Sequence, residues 1–129
     1  YARFDVNAIE YFLKCKINNF FCTKISSKII RNYSANHGLK DLAQEFVGKK
    51  LDKKYSATDW NKDLMTEITD QQLEYAAADC QYLIEIKNGL NKMMKREGKT
   101  ELYNNCLKFL RTRIKLDQNG YTDDIFSHH

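Results

Sequence analysis

Tyr75 and Asp79 stand four residues apart in LEYAAADCQ, with Ala76, Ala77 and Ala78 between them. On a helix, that spacing puts a phenol and a carboxylate on one face, a turn apart. The three small side chains let another element, or a substrate, approach that face closely. An unpaired buried carboxylate is costly. A Mg2+ ion makes it tolerable, since Mg2+ is held by one or two carboxylates together with phosphate oxygens. A tyrosine hydroxyl one turn away can orient a water on such a metal. The competing reading pairs Asp79 with a lysine and leaves Tyr75 as a half-buried aromatic. A second acid, Asp5 in RFDVNAI, follows an aromatic at the mouth of a predicted helix, where the helix dipole alone favours a carboxylate.

Other reaction chemistries lack a local signature. There is no glycine-rich phosphate loop, no GxSxG and no HExxH. Cys15, Cys22, Cys80 and Cys106 lie far apart and form no CxxC pair, and two of the three histidines are the last two residues. A structural zinc site is therefore not expected, and the thiols read as reduced, buried and cytosolic.

The elements that must position these residues are mostly helical. Residues 4–15 predict a short amphipathic helix with Phe4, Ile9, Phe12 and Leu13 inward. Phe20-Phe21-Cys22 is the best strand candidate. Thr23 is placed to cap a helix carrying Ile25, Ile29, Ile30 and Tyr33. Leu39 to Val47 predicts another helix, with Leu39, Leu42, Ala43, Phe46 and Val47 on one face and Gly48 as its left-handed stop. Residues 49–65 read as an ordered loop. Thr69 and Gln72 form a capping box, from which one helix of about 28 residues is expected to run to Gly98. Its expected stripe is Leu73, Ala76, Ala77, Cys80, Leu83, Ile84, Leu90 and Met94. A last helix is predicted from Thr100 to Ile114, with Leu102, Cys106, Phe109 and Leu110 inward.

The chain has 129 residues, 43% hydrophobic and 29% charged, which suits one domain rather than two or a disordered segment. No transmembrane stretch or signal peptide is visible. The formal charge of +4 is uneven. Residues 1–65 hold 12 Lys/Arg and 7 Asp/Glu, a net +5, and the remainder holds 9 and 10, a net −1. A basic half suits a polyanionic partner, but on charge alone a solvated lysine-rich surface is the favoured reading.

Taken in order, ARFDVNAI (2–9), CTKISSKIIR (22–31), HGLKDLAQEFVG (37–48), LDK and TDW within 51–60, and TEITDQQLEYAAADCQYL (66–83) resemble the ribonuclease D family. This is a 3'-5' exonuclease family of the RNase H-like superfamily. The ending RTRIKLDQNGYTDDIFSHH resembles its compact alphaproteobacterial, nanoRNase C-like branch. The resemblance implies an α/β RNase H-like 3'-5' exonuclease domain, of which residues 1–129 would be the mostly helical C-terminal two thirds. It implies four acids (Asp-Glu-Asp-Asp) and a tyrosine, with two Mg2+ or Mn2+ ions hydrolysing phosphodiester bonds from the 3' end of RNA, short oligonucleotides or DNA.

Carried over residue by residue, the resemblance makes Asp5 the third acid, Asp79 the fourth and a metal ligand, and Tyr75 the group that orients the attacking water. His37, Lys40, Arg3, Lys53 and Trp60 fall in matching segments as candidate substrate contacts. His37 reads first as a cap for the helix at Leu39 and Trp60 first as core or interface, and Arg3 and Lys53 are candidate phosphate contacts. The family's first motif, Asp-x-Glu, has no counterpart in the sequence. The chain is therefore expected to be N-terminally incomplete and inactive by itself. The resemblance also implies a cytoplasmic homo-oligomer with no membrane partner. The alternative is a non-catalytic remnant or split subunit that binds nucleic acid or oligomerises.

Overall fold

The computed structural model describes residues 1–51 and 69–128, with Tyr75, Ala78 and Asp79 by their backbone alone. Among the described residues every regular element is a helix. They are α1 (Ala2–Leu13), α2 (Thr23–Ile30), α3 (Leu39–Phe46), α4 (Asp70–Gln81), α5 (Leu83–Arg96) and α6 (Thr100–Gln118). The chain divides into two compact units, one of Tyr1–Ala35 with Leu90–His129 and one of Asn36–Gly89.

In the first unit, α6 packs against α1 and α2. Val6, Cys22, Leu110 and Ile114 are buried together, with Ala2, Ile17, Phe20, Ile25 and Leu107 packed around them. Burying one such aliphatic side chain contributes about 1.5–3 kcal/mol. The segment before α2 is not a strand. Phe20 lies beneath the Arg111 guanidinium, Phe21 packs on Tyr103, and the Cys22 N–H donates to the Tyr103 hydroxyl at 2.9 Å. Side chains of α6, not a ladder partner, hold this stretch. The N-cap of α2 is Cys22, without a side-chain cap bond, so Thr23 is the first helical residue rather than the cap.

Helix α1 corrects its expected face. Val6 is its buried residue, whereas Phe4, Ile9, Phe12 and Leu13 are 41–75% exposed. The helix is apolar on more than one side, and periodicity cannot say which side α6 covers. In α6 the phase differs similarly. Tyr103, Leu110, Arg113 and Ile114 are buried, and Leu102 and Phe109 face outward. The helix also continues to Gln118, past its expected end.

In the second unit, α3 matches its predicted bounds closely. Leu42 and Ala43 are buried. Gly48 takes a φ of 71°, and the Lys49 N–H returns to the Ala43 carbonyl at 3.3 Å. The expected 28-residue helix is two helices. Tyr82 ends α4 at φ −96°, ψ −2°, its N–H turned to the carbonyl two residues back, and α5 restarts the ladder with Ile86 N–H to Tyr82 O. Leu90 and Met94, which belong to the first unit, are buried as the stripe predicts, and so is Ile86 in the second. Leu83 and Ile84 are exposed instead, as is Leu73 on α4, and Cys80, like Cys15, is exposed rather than buried.

Candidate active site

The capping box that opens α4 is formed at both ends. The Gln72 N–H donates to Thr69 Oγ1 at 3.1 Å, and the Thr69 N–H donates to Gln72 Oε1 at 2.8 Å. Two otherwise orphaned N–H groups are satisfied, which fixes where α4 starts. The same start sets the positions of Tyr75 and Asp79 within α4. The helical backbone places them one turn apart, as their spacing predicts.

Asp5 stands in the first turn of α1, in the other unit. Its carboxylate is 75% exposed. Its Oδ2 lies 3.8 Å from the amino group of Tyr1, and its hard oxygens are of the donor type that Mg2+ takes. Among the described residues no three His, Cys, Asp or Glu side chains converge as a metal-ligand set.

His37 precedes Gly38, which is the N-cap of α3 and has no side-chain cap bond. Lys40 is a half-buried residue in the first turn of the same helix. Lys53 and Trp60 lie outside the described residues.

Arg3 is engaged within the protein. Its Nε and Nη2 each donate to Asp117, to Oδ2 and Oδ1, at 2.8 Å. Arg113 Nη2 donates to the same Oδ1 at 3.3 Å. The Arg3 hydrogen bond, reinforced by the charge of Arg113, holds the Asp117 carboxyl below the usual carboxylate range despite its desolvation. The Arg3 guanidinium is held still more firmly protonated by the same bond. Sequence reasoning does not find Asp117. It lies 114 residues from Arg3, and only the packing of α1 on α6 joins them.

A profile of the 3'-5' exonuclease family matches residues 1–95, a span that contains Asp5, Tyr75 and Asp79. The chain belongs to the 3'-5' exonuclease family. No curated protein sequence matches it. Among solved structures it is similar to Brucella melitensis NrnC, at 36% identity and a TM-score of 0.90, over 100% of this chain and 62% of that one. It is also similar to Brucella melitensis NrnC with bound Mg2+, at 35% identity, a TM-score of 0.88, and 100% and 61% coverage. The same protein bound to pGG is 36% identical, with a TM-score of 0.89 and 100% and 61% coverage. The chain thus spans about three fifths of the length of these structures.

Proposed function

We propose that this chain carries the second and third motifs of a divalent-metal-dependent 3'-5' exoribonuclease that acts on short RNA through an RNase H-like domain. The observation that carries this reading is the family match across residues 1–95, the span within which Asp5, Tyr75 and Asp79 lie. The similarity to an NrnC structure with bound Mg2+ and to one bound to pGG supports the metal and the substrate class.

Asp5 and Asp79 are the ligands in this proposal. Their hard oxygen donors fit Mg2+ or Mn2+. The ions, when bound, stabilise the attacking and leaving oxygens of an in-line displacement. Tyr75, one turn before Asp79, orients the attacking water through its hydroxyl. His37 and Lys40, at the start of α3, contact substrate, as do Lys53 and Trp60. Arg3 does so only by exchanging Asp117 for a phosphate. The sequence holds no Asp-x-Glu pair, so the 129 residues alone supply two of the four family carboxylates and are expected to show no hydrolysis.

Four unpaired thiols suit a reducing, cytoplasmic setting. No helix among the described residues is long and apolar enough to cross a membrane. Apolar side chains exposed along α1 support a homo-oligomer.

The test is degradation of a 3'-labelled RNA oligomer by a longer protein that joins this chain to an Asp-x-Glu strand. Asp79→Asn is expected to slow it by at least about 100-fold, since loss of even an outer-shell partner of a metal site costs 10–100-fold. An unchanged rate removes Asp79 from the metal site. Tight RNA binding without any hydrolysis by the unsubstituted longer protein would favour a non-catalytic binder instead.

A further inference from the structure

Within the first unit, α1, residues 14–20 and the C-terminal half of α6 enclose a groove of about 670 Å3, in the size range of ligand sites. Its deep lining is apolar, with Val6 and Ile114 buried and Ile17 and Phe20 half-buried. Lys14, Lys16, Arg111 and Lys115 also line it. Glu10 is the single acid in the lining. Its carboxylate already accepts from the Ile17 N–H at 3.0 Å and from Gln118 Nε2 at 3.3 Å. Four cations against one carboxylate leave the groove at +3.

Two of those cations stand over rings. The Lys14 ammonium is 4.7 Å from the centre of Tyr11, and the Arg111 guanidinium is 5.0 Å from that of Phe20. Arg111 also donates one N–H to the Ile17 carbonyl at 2.9 Å, which holds its plane in place. Cations beside aromatic faces along an apolar trough are the combination that grips single-stranded nucleic acid. The charges hold phosphates, and the exposed Tyr11 ring accepts a base whatever its identity, whereas half-buried Phe20 serves as the seat of Arg111.

We infer that this groove is an auxiliary site for the backbone of single-stranded RNA. The inference rests on the nuclease reading for its choice of polyanion, and none of the lining residues is among those proposed for catalysis. Lys14 lies nine residues beyond Asp5 along the chain, about 13 Å at the rise of a helix. The groove therefore serves RNA longer than the nucleotides being cleaved, and adds affinity without base preference.

The probe is fluorescence anisotropy of a labelled single-stranded RNA oligomer with the 129-residue chain in EDTA, across a salt series. Lys16→Gln with Lys115→Gln is expected to lower the slope of log affinity against log salt by about 1.4. It should weaken binding about 25-fold near 0.1 M salt, from about 0.7 per phosphate contact on a single strand. Lys16→Gln alone should lower the slope by about 0.7, which keeps the test available if the double variant folds poorly. An unchanged slope and affinity overturns the site. So does an unchanged affinity accompanied by a smaller species on sizing, because the groove would then lie between copies of the chain. The nuclease reading fails separately. In the longer protein, the two lysine substitutions should leave dinucleotide cleavage unchanged, whereas Asp79→Asn should abolish it and leave the salt slope intact.

Discussion

Asp117 receives three charge-assisted hydrogen bonds, two from Arg3 and one from Arg113, and its side chain is 11% exposed. Bidentate guanidinium–carboxylate pairs are among the stronger polar contacts. Removing the charge leaves two guanidinium groups short of their partner, so Asp117→Asn is expected to destabilise the first unit by about 1–3 kcal/mol, measured by urea unfolding. The sign of the pH dependence follows from the carboxyl being held below its usual value of 3.8. The folded state favours the ionised form, so the stabilisation is fully present above that value. It is lost as pH falls through the lower, folded-state pKa. Acid titration of stability should show this loss in the unsubstituted chain and not in Asp117→Asn. At Tyr103, burial pushes the phenol up to about 12 and its oxygen accepts the Cys22 N–H. Tyr103→Phe should cost about 1–3 kcal/mol, because that buried N–H loses its acceptor.

At the scale of elements, α4 and α5 are the most informative. Thr69→Ala removes one half of the capping box and should cost about 1 kcal/mol. If the helix start fixes Tyr75 and Asp79, the same substitution in the longer protein lowers turnover without touching either residue. On α5, a Cβ added at Gly89 would stand 2.3 Å from Cδ1 of Phe46 on α3. Alanine in a helix normally gains about 0.5–1 kcal/mol over glycine. Displacing a packed ring costs about 1–3 kcal/mol, so the overlap wins and Gly89→Ala is expected to lower stability. Combining it with Phe46→Leu should recover part of the loss, and a double-mutant cycle in denaturant measures the coupling. A gain in stability from Gly89→Ala alone would show that the two helices do not approach this closely.

At the scale of the molecule, α1 leaves large apolar side chains exposed. Phe4, Tyr11, Phe12 and Leu13 are each 62–75% exposed. Contiguous apolar surface above a few hundred Å2 drives association. The isolated chain should therefore elute above the 15.2 kDa of one copy, and Phe12→Glu with Leu13→Glu should shift it toward the monomer. A monomer by light scattering before any substitution would remove this expectation. The family assignment does not depend on it, since that rests on the match over residues 1–95.

Where a local rule decides, the sequence was sufficient. The capping box at Thr69 and Gln72, the left-handed stop at Gly48, the turn at Gly98 (φ 68°) and the one-turn spacing of Tyr75 and Asp79 all follow from contacts within a few residues. The order of motifs along the chain by itself also points to the 3'-5' exonuclease family. What it could not fix was which face of a multi-sided apolar helix meets a neighbour, as with Phe12 on α1 and Phe109 on α6. Nor could it foresee the break at Tyr82, the pinning of Phe20-Phe21-Cys22 by α6, or the union of Arg3 with Asp117. Each of these depends on residues distant in sequence, and pattern and propensity carry no information about which distant partner will arrive. The basic groove is of the same kind. Lys14 and Lys16 are ordinary surface lysines until α6 brings Arg111 and Lys115 beside them.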